Sequence, residues 1–351
     1  MATLDPVLAA RSISLRYVHD DEPGYRRIGS KRAFRYVDAK NRVVRDRHAL
    51  SRIAALAIPP AWTGVWICAS PSGHIQATGR DAKGRKQYRY HARFRSTREE
   101  TKYEHVLGFG AALPKLRARV AADLARPALD KAKVVATILR LMERTCIRVG
   151  NDCYAKDNHS FGLTTLRDRH ARFDHGAVSF DFTGKSGKVH HIAVRDAKLA
   201  AIVRRCRDIP GQRLFQWLDE NGARHPITSG DVNDYIRETC GDTYSAKNVR
   251  TWVASVMAAR ILTASERGTA KANKRAIGAC LDEVSAHLGN TPTIARKSYI
   301  HPALIEGFTD GTLHTEMQRA IAASRGSKWM HREELALLRF LDQRAPIAMA
   351  A

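Results

Sequence analysis

The sequence has few cysteines, and they are not arranged in pairs. Its six cysteines are scattered over 351 residues without a Cys-x-x-Cys motif. This spacing argues against a zinc ribbon and against a disulfide framework, because both depend on cysteines at matched, closely spaced positions. The pattern is typical of a protein from a reducing compartment.

Long apolar runs are also missing. No stretch approaches the ~20 consecutive apolar residues that a membrane-spanning helix needs. The amino-terminal segment, MATLDPVLAARSISLRYVHDDEPG, lacks the basic start and apolar run of a signal peptide. We therefore expect a cytoplasmic protein with no membrane span.

Acidic residues are scarce relative to basic ones. The chain has 35 Asp and Glu against 59 Lys and Arg, which gives a formal net charge of +24. Such a surplus lies mostly on the surface, where it attracts polyanions. Nucleic acid is the predicted partner, and the less favoured alternative is a basic protein with no polyanion to bind.

The residue patterns divide the chain into two predicted domains. Residues 1–95 contain short strand-like stretches, such as RAFRYVD and KQYRYHARF, separated by proline and glycine turns. At Ser96 a capping box with Glu99 predicts the start of a helix, and helical periodicity then dominates residues 96–351. The predicted fold class is α+β, with a small β-rich domain followed by a larger, mainly α-helical one.

Several elements of the second domain can be predicted individually. An amphipathic helix is expected over residues 129–148, ending at the Gly150-Asn151 turn. Residues 177–195 alternate as a β-hairpin with Lys185 to Lys188 at its tip. The remaining predicted helices lie near residues 196–208, 229–240, 245–265, 273–288 and 331–343.

A few side chains in this domain could act on a phosphodiester. Tyr299 could attack phosphorus, but a free tyrosine has a pKa near ~10 and needs assistance at neutral pH. Arginines such as Arg148 and Arg250 can grip phosphate oxygens without losing their protons. A lysine such as Lys185 can protonate a leaving sugar oxygen. Each of these residues, considered alone, is more often a solvated or core residue.

Taken together, the motifs resemble those of type IB DNA topoisomerases. The chain carries IRVGN around Arg148, FTGKSG around Lys185, VRTW around Arg250, LGNTP around Asn290 and ARKSYI around Tyr299, in the order seen in that family. The segment GRDAKGRKQYRYH, residues 79–91, is similar to a signature of the family's short, virus-like bacterial branch. The likeness covers roughly residues 20–320.

The resemblance implies a role for each matched residue. Tyr299 would attack the scissile phosphate to form a 3′-phosphotyrosyl link and expel a 5′-hydroxyl. Arg148 and Arg250 would hold the non-bridging oxygens, and Lys185 would protonate the leaving oxygen with Arg148 assisting. Lys247 matches a further basic position near the phosphate.

One position departs from the family pattern. The residue after Leu-Gly is histidine in the viral and larger cellular enzymes, whereas this chain has Asn290. Asparagine can donate a hydrogen bond through its amide but carries no charge. His287 and His301 are alternative donors, although structural roles are more usual for such histidines.

DNA contacts are predicted mainly in residues 79–91, called here the clamp motif. Its cations can neutralise phosphates, and its glutamine and tyrosines can reach bases or sugars. The predicted contacts are Arg80, Lys83, Arg85, Lys86, Gln87, Tyr88 and Tyr90, together with Tyr154 as a further family-matched contact. The alternative is a solvated basic hairpin whose two tyrosines belong to the core.

The resemblance implies a tyrosine-recombinase-like catalytic domain that forms, with the amino-terminal domain, a clamp around supercoiled duplex DNA. We expect a nucleoid-associated monomer that needs no ATP, metal or other cofactor, because the phosphotyrosyl ester stores the bond energy and the chain has no phosphate-binding loop or clear carboxylate cluster. The rival interpretations are a tyrosine recombinase and a non-catalytic DNA-binding protein. Recombinases usually have histidine where this chain has Lys247.

Overall fold

The structure is a computed structural model that describes residues 6–30 and 33–344, apart from the side chains of Pro6, Ser30, residues 97–104 and Tyr154. The chain forms two compact units that divide between Lys102 and Tyr103. This division lies inside a long helix, α3 (Ala92–Ala125), so the predicted domain boundary at residues 95–96 stays a prediction. No helix among the described residues is long and apolar enough to cross a membrane.

The first unit is built on a five-stranded antiparallel sheet, which confirms the prediction of a β-rich amino-terminal region. The order along the sheet is β2-β1-β3-β4-β5. The strands are β1 (Gly24–Ser30), β2 (Ala33–Val37), β3 (Thr63–Cys68), β4 (Ile75–Arg80) and β5 (Lys86–Tyr90). Two helices that the sequence patterns did not predict, α1 (Pro6–Ser12) and α2 (Arg47–Ala55), belong to the same unit.

The central strand β3 is covered on both faces. Val65 and Ile67 pack in a cluster with Ile53 of α2, while Trp66 and Cys68 pack in another cluster on the opposite face. The side chain of Asp46 accepts hydrogen bonds from the backbone of the first turn of α2, which fixes where that helix begins. Double coverage of β3 holds the sheet from which the β4–β5 hairpin, bearing the clamp motif, extends.

The second unit is mainly helical, as predicted. Its helices after α3 are α4 (Lys131–Thr145), α5 (Asp152–Asn158), α6 (Ala197–Arg207), α7 (Ser229–Cys240), α8 (Ala246–Ala264), α9 (Ala270–Leu288), α10 (Pro292–Ser298), α11 (Pro302–Asp310), α12 (Thr312–Ala322) and α13 (Arg332–Arg344). The predicted hairpin is present as β7 (Ala177–Thr183) and β8 (Val189–Arg195), and β6 (Ala171–Asp174) adds a third antiparallel strand. A small pair, β9 (Gln216–Leu218) and β10 (Arg224–Pro226), was not predicted.

Two predicted helix boundaries are wrong. Helix α4 ends at Thr145, because Cys146 takes a left-handed conformation (φ 53°) and its backbone N–H closes the last turn onto Met142. Arg148 therefore lies in a non-helical segment after α4 and does not end a helix. Helix α3 begins at Ala92, four residues before the predicted start at Ser96, and a residue inside a helix cannot cap it. The side chain of Glu99, the predicted partner of Ser96, lies outside the described residues.

Residues 292–322 form three short helices that periodicity did not separate. Pro292 and Pro302 each occupy the first turn of a helix, where the missing N–H has no intrahelical partner to lose. Gly289 ends α9 in the left-handed conformation (φ 63°). These breaks turn the chain sharply and place Asn290 and Tyr299 at the two ends of the short helix α10.

A buried ion pair anchors α8. The guanidinium of Arg117 donates hydrogen bonds of 2.7 Å to both carboxylate oxygens of Glu334, and the Trp252 indole N–H donates to the same carboxylate at 3.0 Å. Glu334 and Trp252 are 4% and 1% exposed. Trp252 lies two residues after Arg250, so this network fixes the part of α8 that carries a predicted site residue.

Glu334→Ala should lower the free energy of unfolding by about 2–4 kcal/mol, because it leaves a buried indole N–H without its acceptor and removes one of the two carboxylates that pair with Arg117, Glu143 being the other. Urea denaturation measures the loss. Burial raises the pKa of Glu334. Its hydrogen bonds and the charge of Arg117 lower the pKa by more than burial raises it, so the net pKa is below the usual value. The stabilisation is thus complete above the ordinary carboxylate pKa and disappears as the pH falls through the lower folded-state pKa.

The neighbouring residue provides a matched control. Glu333 lies 3.8 Å from Arg260 in a pair whose side chains are both largely exposed. Glu333→Ala should change stability by no more than about 1 kcal/mol. Equal losses for the two variants would contradict the anchoring role of Glu334.

Candidate active site

Tyr299 is held at the end of α10 by backbone contacts on both sides. Its N–H donates to the carbonyl of Ala295 at 3.0 Å, and its own carbonyl accepts from the Ser255 hydroxyl of α8 at 3.2 Å. The ring is half-buried, and the Arg250 guanidinium lies 5.3 Å from its centroid. The phenol is therefore fixed against α8 while part of it stays accessible.

Arg250 is a buried cation with spare donors. Its side chain is 3% exposed, and one terminal nitrogen donates to the Leu288 carbonyl at 2.9 Å. The other terminal nitrogen, Nη1, and Nε are buried without a hydrogen-bond partner among the described residues. Buried donors of a charged group are normally satisfied, so this exception indicates a place for an anion.

Arg148 approaches the same region from the segment after α4. Its guanidinium donates to the Gly289 carbonyl at 3.3 Å and to the side-chain oxygen of Asn290. Burial and the nearby charge of Arg250 lower the pKa of Arg148 from its usual very high value. The segment itself is held by a 2.8 Å hydrogen bond from the Leu163 N–H to the Arg148 carbonyl. The two predicted arginines are thus brought together.

The contact with Arg148 orients the amide of Asn290. A guanidinium has only donors, so the amide atom facing it must be the oxygen Oδ1. The nitrogen Nδ2 then points elsewhere, and it is buried without a hydrogen-bond partner among the described residues. Asn290 therefore presents a second unused donor beside those of Arg250.

These groups act on the phenol of Tyr299. Burial raises its pKa, but the charges of Arg250 and Arg148 oppose this effect, and the polar side chains of Asn290 and Arg250 add to the opposition. The net result is a pKa below the ordinary tyrosine value. Asn290 and Arg250 both lie close enough to the phenol to lower its pKa, but neither side chain reaches full hydrogen-bond geometry with it, which leaves their donors able to serve another acceptor.

Lys185 and Lys247 border this group at exposed positions. Lys185 begins a single turn of 3-10 helix, Lys185–Gly187, at the predicted hairpin tip. Gly184, just before it, lines a small cavity together with Arg148 and Arg250. Lys247 lies in the first turn of α8, one turn before Arg250, with its side chain exposed. Lys247 is therefore on the helix that carries Arg250, whereas Lys185 is next in sequence to a residue of the cavity that both arginines line.

The three histidines near the site differ in their environments. His301 caps α11, where its ring nitrogen accepts from the Ala303 N–H at 3.2 Å. It thus has a structural role, which is the more usual role for such a histidine. His287 lines the cavity with the arginines, and burial and Arg250 lower its pKa. His190, on β8, lines the same cavity and is a residue that the sequence motifs did not indicate.

A signal for His190 was present in the sequence. Alternation along the predicted strand places His190, Ile192 and Val194 on one face, and these three are less exposed than their neighbours. Because Val194 belongs to the core, the same face of β8 carries His190 toward the interior. The Phe182 ring stacks on the imidazole with centroids 4.9 Å apart.

The clamp motif lies on the β4–β5 hairpin, and several of its side chains have internal partners. Arg85 and Gln87 both contact Asp81, at 2.7 and 3.0 Å, and Lys86 lies 2.6 Å from Asp20. Hydrogen bonding to Arg85 lowers the pKa of Asp81 to about 2. These carboxylates hold the cations in place. Phosphate groups of a bound nucleic acid would compete with the carboxylates for the same cations.

The remaining predicted contacts have different surroundings. Arg80 donates to the Gly84 carbonyl at 2.9 Å, and Lys83 is exposed on the turn. Tyr88 is 43% exposed and stacks on Tyr90, which packs against a small apolar cluster. The alternative of two core tyrosines is thus wrong for Tyr88. The side chain of Tyr154, on α5, lies outside the described residues.

Two family models and several known proteins match this chain. The family described as eukaryotic DNA topoisomerase I, catalytic core, matches residues 91–324, and the bacterial DNA topoisomerase IB amino-terminal domain matches residues 33–81. DNA topoisomerase 1B of Acanthamoeba polyphaga mimivirus is 31% identical over 280 residues, which cover 78% of this chain and 83% of the viral protein.

Poxvirus proteins are more distant relatives. DNA topoisomerase I of monkeypox virus is 23% identical, and DNA topoisomerase 1B of vaccinia virus (strain Copenhagen) is 22% identical. Each match spans 66% of this chain and 72% of the viral protein. With a family match over most of its length and the arginine, asparagine and tyrosine motifs joined in one site, the chain belongs to the type IB DNA topoisomerases.

Proposed function

We propose that this protein relaxes supercoiled duplex DNA by cutting and rejoining one strand through a covalent bond to Tyr299, without ATP or a metal ion. The observation that carries the proposal is the cluster of buried, unused donors on Arg250 and Asn290 beside a half-buried phenol. A phosphate placed there would accept those donors while facing the nucleophile.

The proposed cleavage step is a transesterification. The Tyr299 oxygen bonds to phosphorus, the bond from phosphorus to the 5′ oxygen breaks, and Lys185 supplies a proton to that oxygen. Arg148 and Arg250 neutralise the charge that grows on the non-bridging oxygens, and Arg148 assists the proton transfer. Rejoining reverses these events, because the 5′-hydroxyl attacks the phosphotyrosyl ester and expels the phenol. The bond energy stays in the ester, so no nucleotide hydrolysis is needed.

Asn290 is proposed to supply a neutral hydrogen bond to the same phosphate. Its oxygen is engaged by Arg148, so its nitrogen is the atom available for a ligand. The amide cannot change charge with pH near neutrality, unlike the imidazole that other family members have at this position. His287 is the next candidate donor because it lines the adjoining cavity.

The remaining predicted residues are proposed to bind DNA outside the reacting phosphate. Lys247 would contact the backbone near the site, Tyr154 would be a further contact, and the clamp motif would bind the duplex through Arg80, Lys83, Arg85, Lys86, Gln87, Tyr88 and Tyr90. We expect the two units to act together as a clamp within a monomer, on chromosomal DNA in a bacterial cytoplasm.

Relaxation of a negatively supercoiled plasmid in EDTA without ATP tests the proposal. The wild-type protein should produce a ladder of topoisomers that ends at the relaxed state. Tyr299→Phe should bind DNA with unchanged affinity and give neither relaxation nor a protein–DNA adduct in denaturing gels. A tyrosine recombinase would require paired recombination sites, and a non-catalytic binding protein would give no adduct with the wild-type chain. An adduct with the phenylalanine variant would refute Tyr299 as the nucleophile.

Substitutions at Asn290 test the neutral donor. Asn290→Ala should slow single-turnover cleavage by about 10²–10³-fold, the usual effect of losing one donor to a developing oxyanion. Asn290→His keeps a donor and should retain much of the rate. Cleavage by Asn290→Ala at the full wild-type rate would move the donor role elsewhere, with His287 the next residue to substitute.

The salt dependence of DNA binding tests the clamp motif. Each phosphate contact contributes about 0.9 to the slope of log affinity against log salt. Replacing Lys83, Arg85 and Lys86 together by alanine should reduce that slope by about two to three units. Arg260→Ala removes an exposed cation outside the motif and serves as the control. An unchanged slope in the triple variant would show that these side chains do not contact phosphate.

A further inference from the structure

The His190 ring fills the space between two catalytic segments. It extends from β8 and stacks on Phe182, its cross-strand partner on β7, with an interplanar angle of 13°. Its Nε2–Cδ2 edge faces Gly184, the residue before Lys185, and its Cε1 atom faces Gly289, the residue before Asn290. The imidazole is thus in contact range of both the hairpin turn and the loop between α9 and α10.

Both glycines approach the ring so closely that a side chain on either one would force the ring to move. A Cβ built on Gly184 would lie 2.7 Å from His190 Nε2, and one built on Gly289 would lie 2.5 Å from Cε1. Gly289 also has a positive φ of 63°, which by itself favours glycine. Gly184 has φ −95°, a conformation open to any residue, so the close approach of His190 is the reason for glycine there.

We propose that His190 is a positioning residue that joins the Lys185 turn to the Gly289–Asn290 loop, so that the proton donor and the phosphate-binding side chains keep a fixed separation. The inference rests on the proposed function, because it assumes that Lys185 is the general acid. It adds a residue and a mechanical link that the matched motifs do not contain.

The surroundings of His190 favour a neutral ring that acts by packing. Burial lowers its pKa, and the positive charges of Arg148, Lys188 and Arg250 and the neighbouring His191 lower it further. His287, from α9, lines the same cavity. A neutral imidazole adds no further positive charge beside Arg148 and Arg250. The ring therefore joins the two segments through its flat shape and its packing.

Single-turnover cleavage of two substrates tests the link. One substrate has the ordinary phosphodiester, and the other has sulfur in place of the bridging 5′ oxygen, which leaves without needing a proton. His190→Ala should cleave the ordinary substrate about 10²-fold more slowly, as a displaced catalytic group would. It should recover most of the wild-type rate on the sulfur substrate, as Lys185→Ala also should. An equal loss on both substrates would overturn the proposal, since His190 would then act through the arginines or through general stability.

A double variant tests the link independently of the acid role. If His190 acts through Lys185, the variant with both residues changed to alanine should be no slower than Lys185→Ala alone. Independent, additive losses would overturn the proposal. Failure of Lys185→Ala to recover on the sulfur substrate would instead refute Lys185 as the general acid, and the additivity measurement would still decide whether the two residues are coupled.

The close contact at Gly184 gives a compensatory test. Gly184→Ala alone forces a methyl group into the ring and should slow the ordinary substrate while sparing the sulfur one. Combining it with His190→Ala makes room for the methyl group and should restore part of the lost rate. A further loss would contradict the packing account.

His191→Ala is the matched control, because the His191 ring is exposed and pairs with Asp181 at 2.5 Å. This variant should cleave both substrates normally. Equal urea midpoints across the series exclude unfolding as the cause.

Discussion

The site depends on holding two guanidinium groups together beside a phenol before any phosphate is present. Arg148 and Arg250 repel each other, and burial removes much of the water that would weaken the repulsion. The spare donors of Arg250 add a further desolvation cost. A bound phosphate would relieve both the repulsion and the desolvation cost. The free site is therefore less stable than the phosphate-bound site by these amounts, which strengthens its affinity for an anion.

The end of α9 offsets part of that cost in the free protein. The carbonyl oxygens of Leu288 and Gly289 accept hydrogen bonds from Arg250 and Arg148, respectively. The last carbonyls of a helix have no intrahelical donor and carry the partial negative charge of the helix dipole. One helix terminus therefore supports both arginines, while the Trp252–Glu334 hydrogen bond fixes α8 from its other side.

Sequence patterns predicted the site better than they predicted its geometry. The order of five motifs identified Tyr299, Arg148, Arg250 and Asn290, which the structure brings together, because residue identity limits the available chemistry. Periodicity could not place Arg148, since the left-handed Cys146 ends α4 early and such a conformation has no apolar pattern. The α+β character, with a β-rich amino-terminal region and a mainly helical larger one, followed from turn residues and periodicity. The short helices over residues 292–322 did not, because each is set by a proline or a cap within a broadly helical stretch.

The roles of His190 and Asn290 are explained by the same limits on space and charge beside Arg148. A histidine at residue 290 would place an imidazole beside Arg148, near the ring that His190 already contributes. An amide occupies less space, accepts from Arg148 and keeps a donor, without adding a group that could become positive. The imidazole of His190 lies on the hairpin strand, where its close approach to Gly184 and Gly289 makes it a spacer. On the proposed mechanism, the phosphate is then bound by fixed charges and a neutral amide, and the histidine contributes shape. The charge of the phosphate-binding group would stay constant across the neutral pH range, because none of its members titrates there.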